Sequence, residues 1–228
     1  MLMFSQAGIF AQGKAQILVK KTSDFTVTGD GTSENWKKAD WVELPLRGKS
    51  TTPLKTRVKI LYSGTGIYYF FDCEDKKLTS SMNADFLDLW KEDVVEVFLW
   101  TNEKEPFYFE YELSPLNYEL PLLISNENGE LLRWMPFHYE PGRITGHATA
   151  VRGGEKKSNA AVSAWTAEFF IPYKLLSPLV NRIPKSGMKW RSNMYRVDYD
   201  DNGRFSWSWQ QTDRSFHDYK KFGTLVFE

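Results

Sequence analysis

Four residues in the stretch 89–115 have the types and spacing for sugar chemistry: Trp90, Glu96, Glu110 and Glu112. They sit in two apolar, aromatic-rich segments that flank a polar turn. An indole can stack on the apolar face of a pyranose while a neighbouring carboxylate accepts hydrogen bonds from its hydroxyls. In an extended chain Val94, Glu96, Phe98 and Trp100 share one face, so Glu96 is an acid among apolar neighbours. Such a group must find a partner, because an unpaired buried charge is very costly. It is therefore either a structural acid paired with an arginine or a carboxylate on the floor of a cleft. Glu110 and Glu112 are two apart on one strand, roughly 6.5 to 7 Å between Cα atoms. That separation is compatible with glycoside hydrolysis. Catalytic carboxylates normally face each other across the substrate, however, so Glu96 with Glu110 or Glu112 is the better candidate pair.

Other groupings carry less chemistry. Asp198, Asp200, Asn202 and Gly203 match the opening of a calcium loop, but Trp209 stands where the loop needs its glutamate, so a hairpin turn is expected there. Asp72, Glu74 and Asp75 are a looser calcium candidate. Phe205, Trp207 and Trp209 form an aromatic row that reads as core, with Arg204, Ser206 and Ser208 opposite. Phe216 and His217 stand in a polar loop, where a ligand contact is conceivable. Met82, Met135 and Met194, with His138 or His217, could supply axial ligands to a b-type haem, though no spacing singles out a pair. Zinc, phosphate-loop and nucleophile-elbow motifs are missing, which leaves any enzyme chemistry to the carboxylates.

The elements that must position these residues are strands. Residues 56–63 alternate well, turn at 63–66 and return at 67–72. Further strand-like segments fall at 16–20, 93–100, 107–113, 118–125, 130–137, 143–151, 161–171, 189–199, 204–210 and 222–227. Residues 78–91 read as helical or irregular, and 172–179 as one helical turn. The expectation is an all-β antiparallel sandwich, immunoglobulin-like or jelly-roll-like, of about eleven or twelve strands with little helix. Aromatics are 16% of the 228 residues, which suits pleated surfaces. Formal net charge is zero, which argues against a phosphate-tracking nucleic-acid binder. One cysteine, Cys73, excludes an intrachain disulfide. No segment is apolar for the roughly 18 to 20 residues that span a membrane. Residues 1–15 read as a flexible extension or the remnant of an export signal, and 16–228 as a single domain.

Six separated segments, taken in order, resemble the family 9 carbohydrate-binding modules. They are VKILYSGTGIYYFFDCED, WKEDVVEVFL, FYFEYELSPLN, WTAEFFIPYKLL, GMKWRSNMYRVDY and FHDYKKFGTLVF. The resemblance covers roughly 36–228. It implies a two-sheet sandwich and non-catalytic sugar binding, often beside a glycoside hydrolase in a polysaccharide-degrading system outside the cytoplasm, secreted or periplasmic. It implies Trp90 as a stacking ring and Glu96 as a site carboxylate. Arg191, Asn193 and Arg196 match the family's basic-amide strand, from which they could reach the ligand or pair with Glu96 and Glu112. The family's second tryptophan would fall in the loop before the last strand, where this chain has Phe216 and His217. The sequence reading therefore favours carbohydrate binding by Trp90, Glu96, Glu112, Arg191, Asn193, Arg196, Phe216 and His217. Alternatives are a glycoside hydrolase and a b-type haem domain.

Overall fold

The computed structural model describes residues 15–49, 51–137, 144–201 and 203–228. Thirteen strands carry the fold: β1 (Gln16–Lys21), β2 (Val42–Glu43), β3 (Thr56–Tyr62), β4 (Gly66–Glu74), β5 (Val94–Trp100), β6 (Phe107–Leu113), β7 (Glu119–Glu127), β8 (Glu130–Pro136), β9 (Gly146–Arg152), β10 (Ala164–Pro172), β11 (Lys189–Asp200), β12 (Gly203–Ser208) and β13 (Gly223–Phe227). Among the described residues helix is confined to three short 3-10 turns, Glu34–Lys38, Leu89–Lys91 and Tyr219–Lys221. The order is β8-β7-β6-β5-β11-β13-β1-β3-β4-β10-β9, with β12 on β11 and β2 on β3. β1 joins the two halves, pairing parallel with both β13 and β3; the other pairings are antiparallel.

The sheet curls so that two layers enclose one core. Val95, Val97, Leu99, Phe109, Tyr111 and Met194 point inward from the first layer, against Ile60, Tyr69, Phe71, Phe169 and Ile171 of the second. Tyr111 and Phe169 meet across the layers with ring centroids 4.8 Å apart. Each such side chain contributes on the order of 1.5 to 3 kcal/mol by leaving water. The row Phe205, Trp207 and Trp209 belongs to this core, as its alternation predicts. Strand alternation sends the other residues of β5 to the outer face. There Val94, Phe98 and Trp100 join Tyr108, Leu122, Ile124, Tyr195 and Phe222 in a second apolar cluster.

The expected turns form where their chemistry allows. Asn128 and Gly129 both take positive φ, 55° and 94°, between β7 and β8, the conformation of a two-residue hairpin turn. Asn126 Oδ1 accepts a hydrogen bond from the Gly129 amide at 3.0 Å. Gly203, with φ 125°, opens β12 after the turn that follows β11. Residues 78–91 are mostly irregular, closing with the 3-10 turn that carries Trp90.

Candidate functional site

The outer face of the first layer holds a cavity of about 690 Å³, lined by residues far apart in the chain. Its floor is acidic. Glu96 on β5 is paired in register with Glu112 on β6, and Phe98 with Glu110. Tyr195 on β11 flanks Glu96 from the other side, while Leu120 and Leu122 on β7 flank Glu112 and Glu110. Glu96, Glu110 and Glu112 are all buried, Glu112 completely. Neither oxygen of Glu112, nor Oε2 of Glu110, has a hydrogen-bond partner among the described protein groups.

Burial governs their ionisation. It pushes the Glu96 carboxyl up to about 8, against the pull of the Arg204 and Arg47 guanidiniums. Glu110 and Glu112 are held well above the ordinary carboxylate range, first by burial and then by the charge of Glu96. Desolvation disfavours a charged form, and a like charge nearby does the same.

Aromatic rings form much of the walls. Trp90 is fixed by its 3-10 turn, whose Leu89 is buried, and its carbonyl accepts a hydrogen bond from the Tyr199 hydroxyl at 3.3 Å. Its ring meets Trp134 of β8 edge-on, with centroids 5.5 Å apart. Phe216 lies flat on Tyr195, with centroids 4.1 Å apart and planes 6° from parallel. The Arg47 guanidinium covers Phe216 at 4.5 Å, and Arg204 lies 5.7 Å from the same ring. Arg47 is held by its own amide, which donates to the Ser206 carbonyl, and by Nη2, which donates to the Thr212 carbonyl at 2.9 Å.

His217 ties the last loop to the sheet. Its Nδ1 is hydrogen-bonded to the Tyr108 hydroxyl at 2.7 Å and lies 3.8 Å from Glu110 Oε2. Asn126 Nδ2 donates to the His217 carbonyl at 2.8 Å. Burial pushes the imidazole down to about 4, so it is neutral near pH 7.

Of the eight residues expected from the sequence, five line this cavity: Trp90, Glu96, Glu112, Phe216 and His217. Arg191, Asn193 and Arg196 do not. Arg191 donates from Nε to the Gly223 carbonyl at 2.9 Å and pairs with Glu103 at 3.2 Å. Asn193 lies beneath the site and donates to the Tyr195 hydroxyl at 2.6 Å. Arg196 falls on the opposite face of β11. There it pairs with Asp75 and Asp198 at 3.1 and 3.2 Å and donates to the Glu74 carbonyl. The expected pairing of Arg196 with Glu96 or Glu112 is not made, because the β-strand period of two separates them by the thickness of the sheet. Trp134, Arg47 and Arg204, which the sequence reading did not select, line the cavity instead. The signal for Arg204 was its place on the face opposite the aromatic row of β12. Trp134 and Arg47 carried none beyond residue type.

The acids considered for calcium separate. Asp72 binds Arg57 and Arg152 at the surface, and exposed Glu74 accepts from the Lys55 amide. Asp75 is buried, and its carboxylate lies within 4.8 Å of those of Asp93 and Asp198, beside Arg196. Burial raises Asp93 to about 8 and Asp198 to about 6. Met194 is in the inter-layer core and His217 on the outer face, so β11 lies between them. His138 lies outside the described residues.

Comparison with known proteins gives a consistent picture. A family model described as carbohydrate family 9 binding domain-like matches residues 27–228. An extracellular protein of Arthroderma benhamiae is 26% identical over 186 residues, which cover 76% of this chain and 78% of that protein. A crystal structure from Bacteroides uniformis, provisionally described as a carbohydrate-binding protein, superposes with a TM-score of 0.78 at 16% identity, covering 95% of this chain and all of that one. A family 9 carbohydrate-binding module from Caldicellulosiruptor kristjanssonii in complex with cellotriose gives 0.66 at 14% identity, covering 94% of each chain. The glucose complex of a module from the same organism gives 0.65 at 15% identity, covering 94% of this chain and 96% of that one.

Proposed function

The chain belongs to the carbohydrate family 9 binding domain-like family, and from that membership we propose that the outer-face cavity binds carbohydrate without cleaving it. The observation that carries this reading is the pairing of aromatic walls with buried carboxyl groups, of which both oxygens of Glu112 and Oε2 of Glu110 have no hydrogen-bond partner among the described residues. In this reading Trp90 and Trp134 offer their rings to the apolar face of a sugar. Glu96, Glu110 and Glu112 accept from its hydroxyls, and Arg47 and Arg204 donate to its oxygens. Phe216 and His217 bound the site on the loop that precedes β13. Ring stacking contributes about 0.5 to 1.5 kcal/mol beyond area burial, so binding on the order of micromolar to millimolar is expected.

The likeness to a named extracellular protein supports action outside the cytoplasm. No helix among the described residues is long and apolar enough to cross a membrane.

The test is a glycan array followed by calorimetry on the best sugar. Binding that falls at least about tenfold in Trp90→Ala, with the circular dichroism unchanged, supports the reading. An array silent across neutral, acidic and amino sugars would overturn it. A second reading has one observation in its favour: buried carboxyls with raised proton affinity are equipped to act as general acids. Release of reducing sugar that disappears in Glu96→Gln would establish cleavage in place of simple binding.

A further inference from the structure

The cavity floor holds carboxyl groups that no lysine or arginine of the described residues neutralises fully, and burial holds them towards their protonated form. Glu96 feels two guanidiniums, those of Arg204 and Arg47. At the rim, Arg214 is paired with Glu130 at 3.1 Å and Asp213 with Lys221 at 3.2 Å. Glu110 and Glu112 have no lysine or arginine within ion-pair distance among the described residues; the nearest base is the neutral His217, 3.8 Å from Glu110 Oε2. Three of their four carboxyl oxygens have no hydrogen-bond partner among the described residues.

We propose that the saccharide taken by this cavity carries a free amine, a hexosamine unit whose ammonium sits against Glu110 and Glu112 on the cavity floor. This inference rests on the carbohydrate-binding reading and names its substrate class. A sugar hydroxyl can hydrogen-bond to these carboxyls but brings no charge that would let a buried acid ionise. An ammonium brings one full charge and three donors, with no acceptor to repel the carboxylates. Paired in a site screened from water, such a charge-assisted contact is about twice as strong as a neutral one. Trp90 and Trp134 face the same cavity, and indole rings favour a cation near their faces. The arginines sit with Phe216 and act on Glu96, and neither forms an ion pair with Glu110 or with Glu112, the cross-strand partner of Glu96. A bare metal ion is a poorer occupant. Among the described residues, the carboxylates that converge as metal ligands are Asp75, Asp93 and Asp198, on the other side of the sheet. N-acetylation removes the charge and places a carbonyl oxygen where the acids need donors, so the acetylated sugar is discriminated against.

Calorimetry at pH 7 with D-glucosamine, D-glucose and N-acetyl-D-glucosamine tests this directly. The expected result is glucosamine binding about tenfold or more tighter than either neutral sugar. Glu112→Gln, and separately Glu110→Gln, should each cut that margin to about threefold or less, whatever either does to the affinity for glucose itself. If glucose or N-acetylglucosamine binds as tightly as glucosamine, or if the margin survives in both variants, the amine inference is overturned and the carbohydrate reading stands. If none of these sugars nor any glycan on the array binds, both fail. The three-sugar comparison uses the unaltered protein, so it decides the matter even where a variant does not fold.

Discussion

Glu96 and Glu112 stand directly opposite each other across the β5–β6 pair, both buried on the outer face of the sheet. Two charges in that position would repel, so burial and this opposition hold both carboxyls towards their protonated form, and neither has an ion pair among the described residues. The arrangement costs stability at the place where the aromatic walls converge. It makes sense as a site held ready for a donor-rich ligand.

The first consequence concerns pH. The folded state holds a proton on Glu96 up to about 8, whereas the unfolded chain releases it near the ordinary value of 4.5. Stability from this group is full below about 4.5 and is lost as the pH rises through about 8. His217 acts in the opposite sense, since its depressed basicity removes stability as the pH falls from 6.5 towards about 4. Glu96→Gln should therefore melt higher than the parent at pH 8, with the gap closing towards pH 5. Melting curves across that range check it; a constant offset would show that Glu96 is ionised throughout.

The second concerns Trp134. The residue is 41% exposed on β8, so truncation removes little core packing. Trp134→Ala should leave the denaturation midpoint nearly unchanged, within about 0.5 kcal/mol, as for most surface substitutions. Sugar affinity should fall severalfold. Equal affinity in the variant and the parent would remove Trp134 from the site.

Arg196 is expected to behave in the reverse manner. It is completely buried and neutralises Asp75 and Asp198, so Arg196→Ala strands two carboxylates. Breaking a buried pair in this way costs about 3 to 5 kcal/mol. Urea denaturation should report that loss, while the folded fraction keeps its sugar affinity. A loss of affinity without loss of stability would return Arg196 to the binding site.

Much of the fold was legible because strands carry a two-residue period and turns carry Asn-Gly or Asp-rich signals. Residues 56–72 and 118–136 illustrate both. Glu96 and Trp90, which line the same cavity, were both singled out in the sequence, one as an acid in an apolar strand, the other by its resemblance to a family tryptophan. The error over Arg196 came from weighing three neighbouring polar residues as a group. Parity alone places Arg191, Asn193 and Tyr195 on one face of β11 and Arg196 on the other. Trp134 escaped because β8 is an edge strand exposed along nearly its whole length, so its apolar residues show no alternation to read. Arg47 escaped for a different reason. It reaches the cavity only through the fold that brings its segment beside β12, a contact spanning about 160 residues, which no local pattern encodes.

The parallel seam between β1 and β13 has a mechanical consequence. Gln16 is aligned with Thr224 and Val19 with Phe227, so the chain enters the seam at one end and leaves it at the other. Tension applied between the entering and leaving segments runs along the strands. The ladder bonds are then loaded in shear and must yield together, whereas a hairpin pulled at its open end unzips one bond at a time.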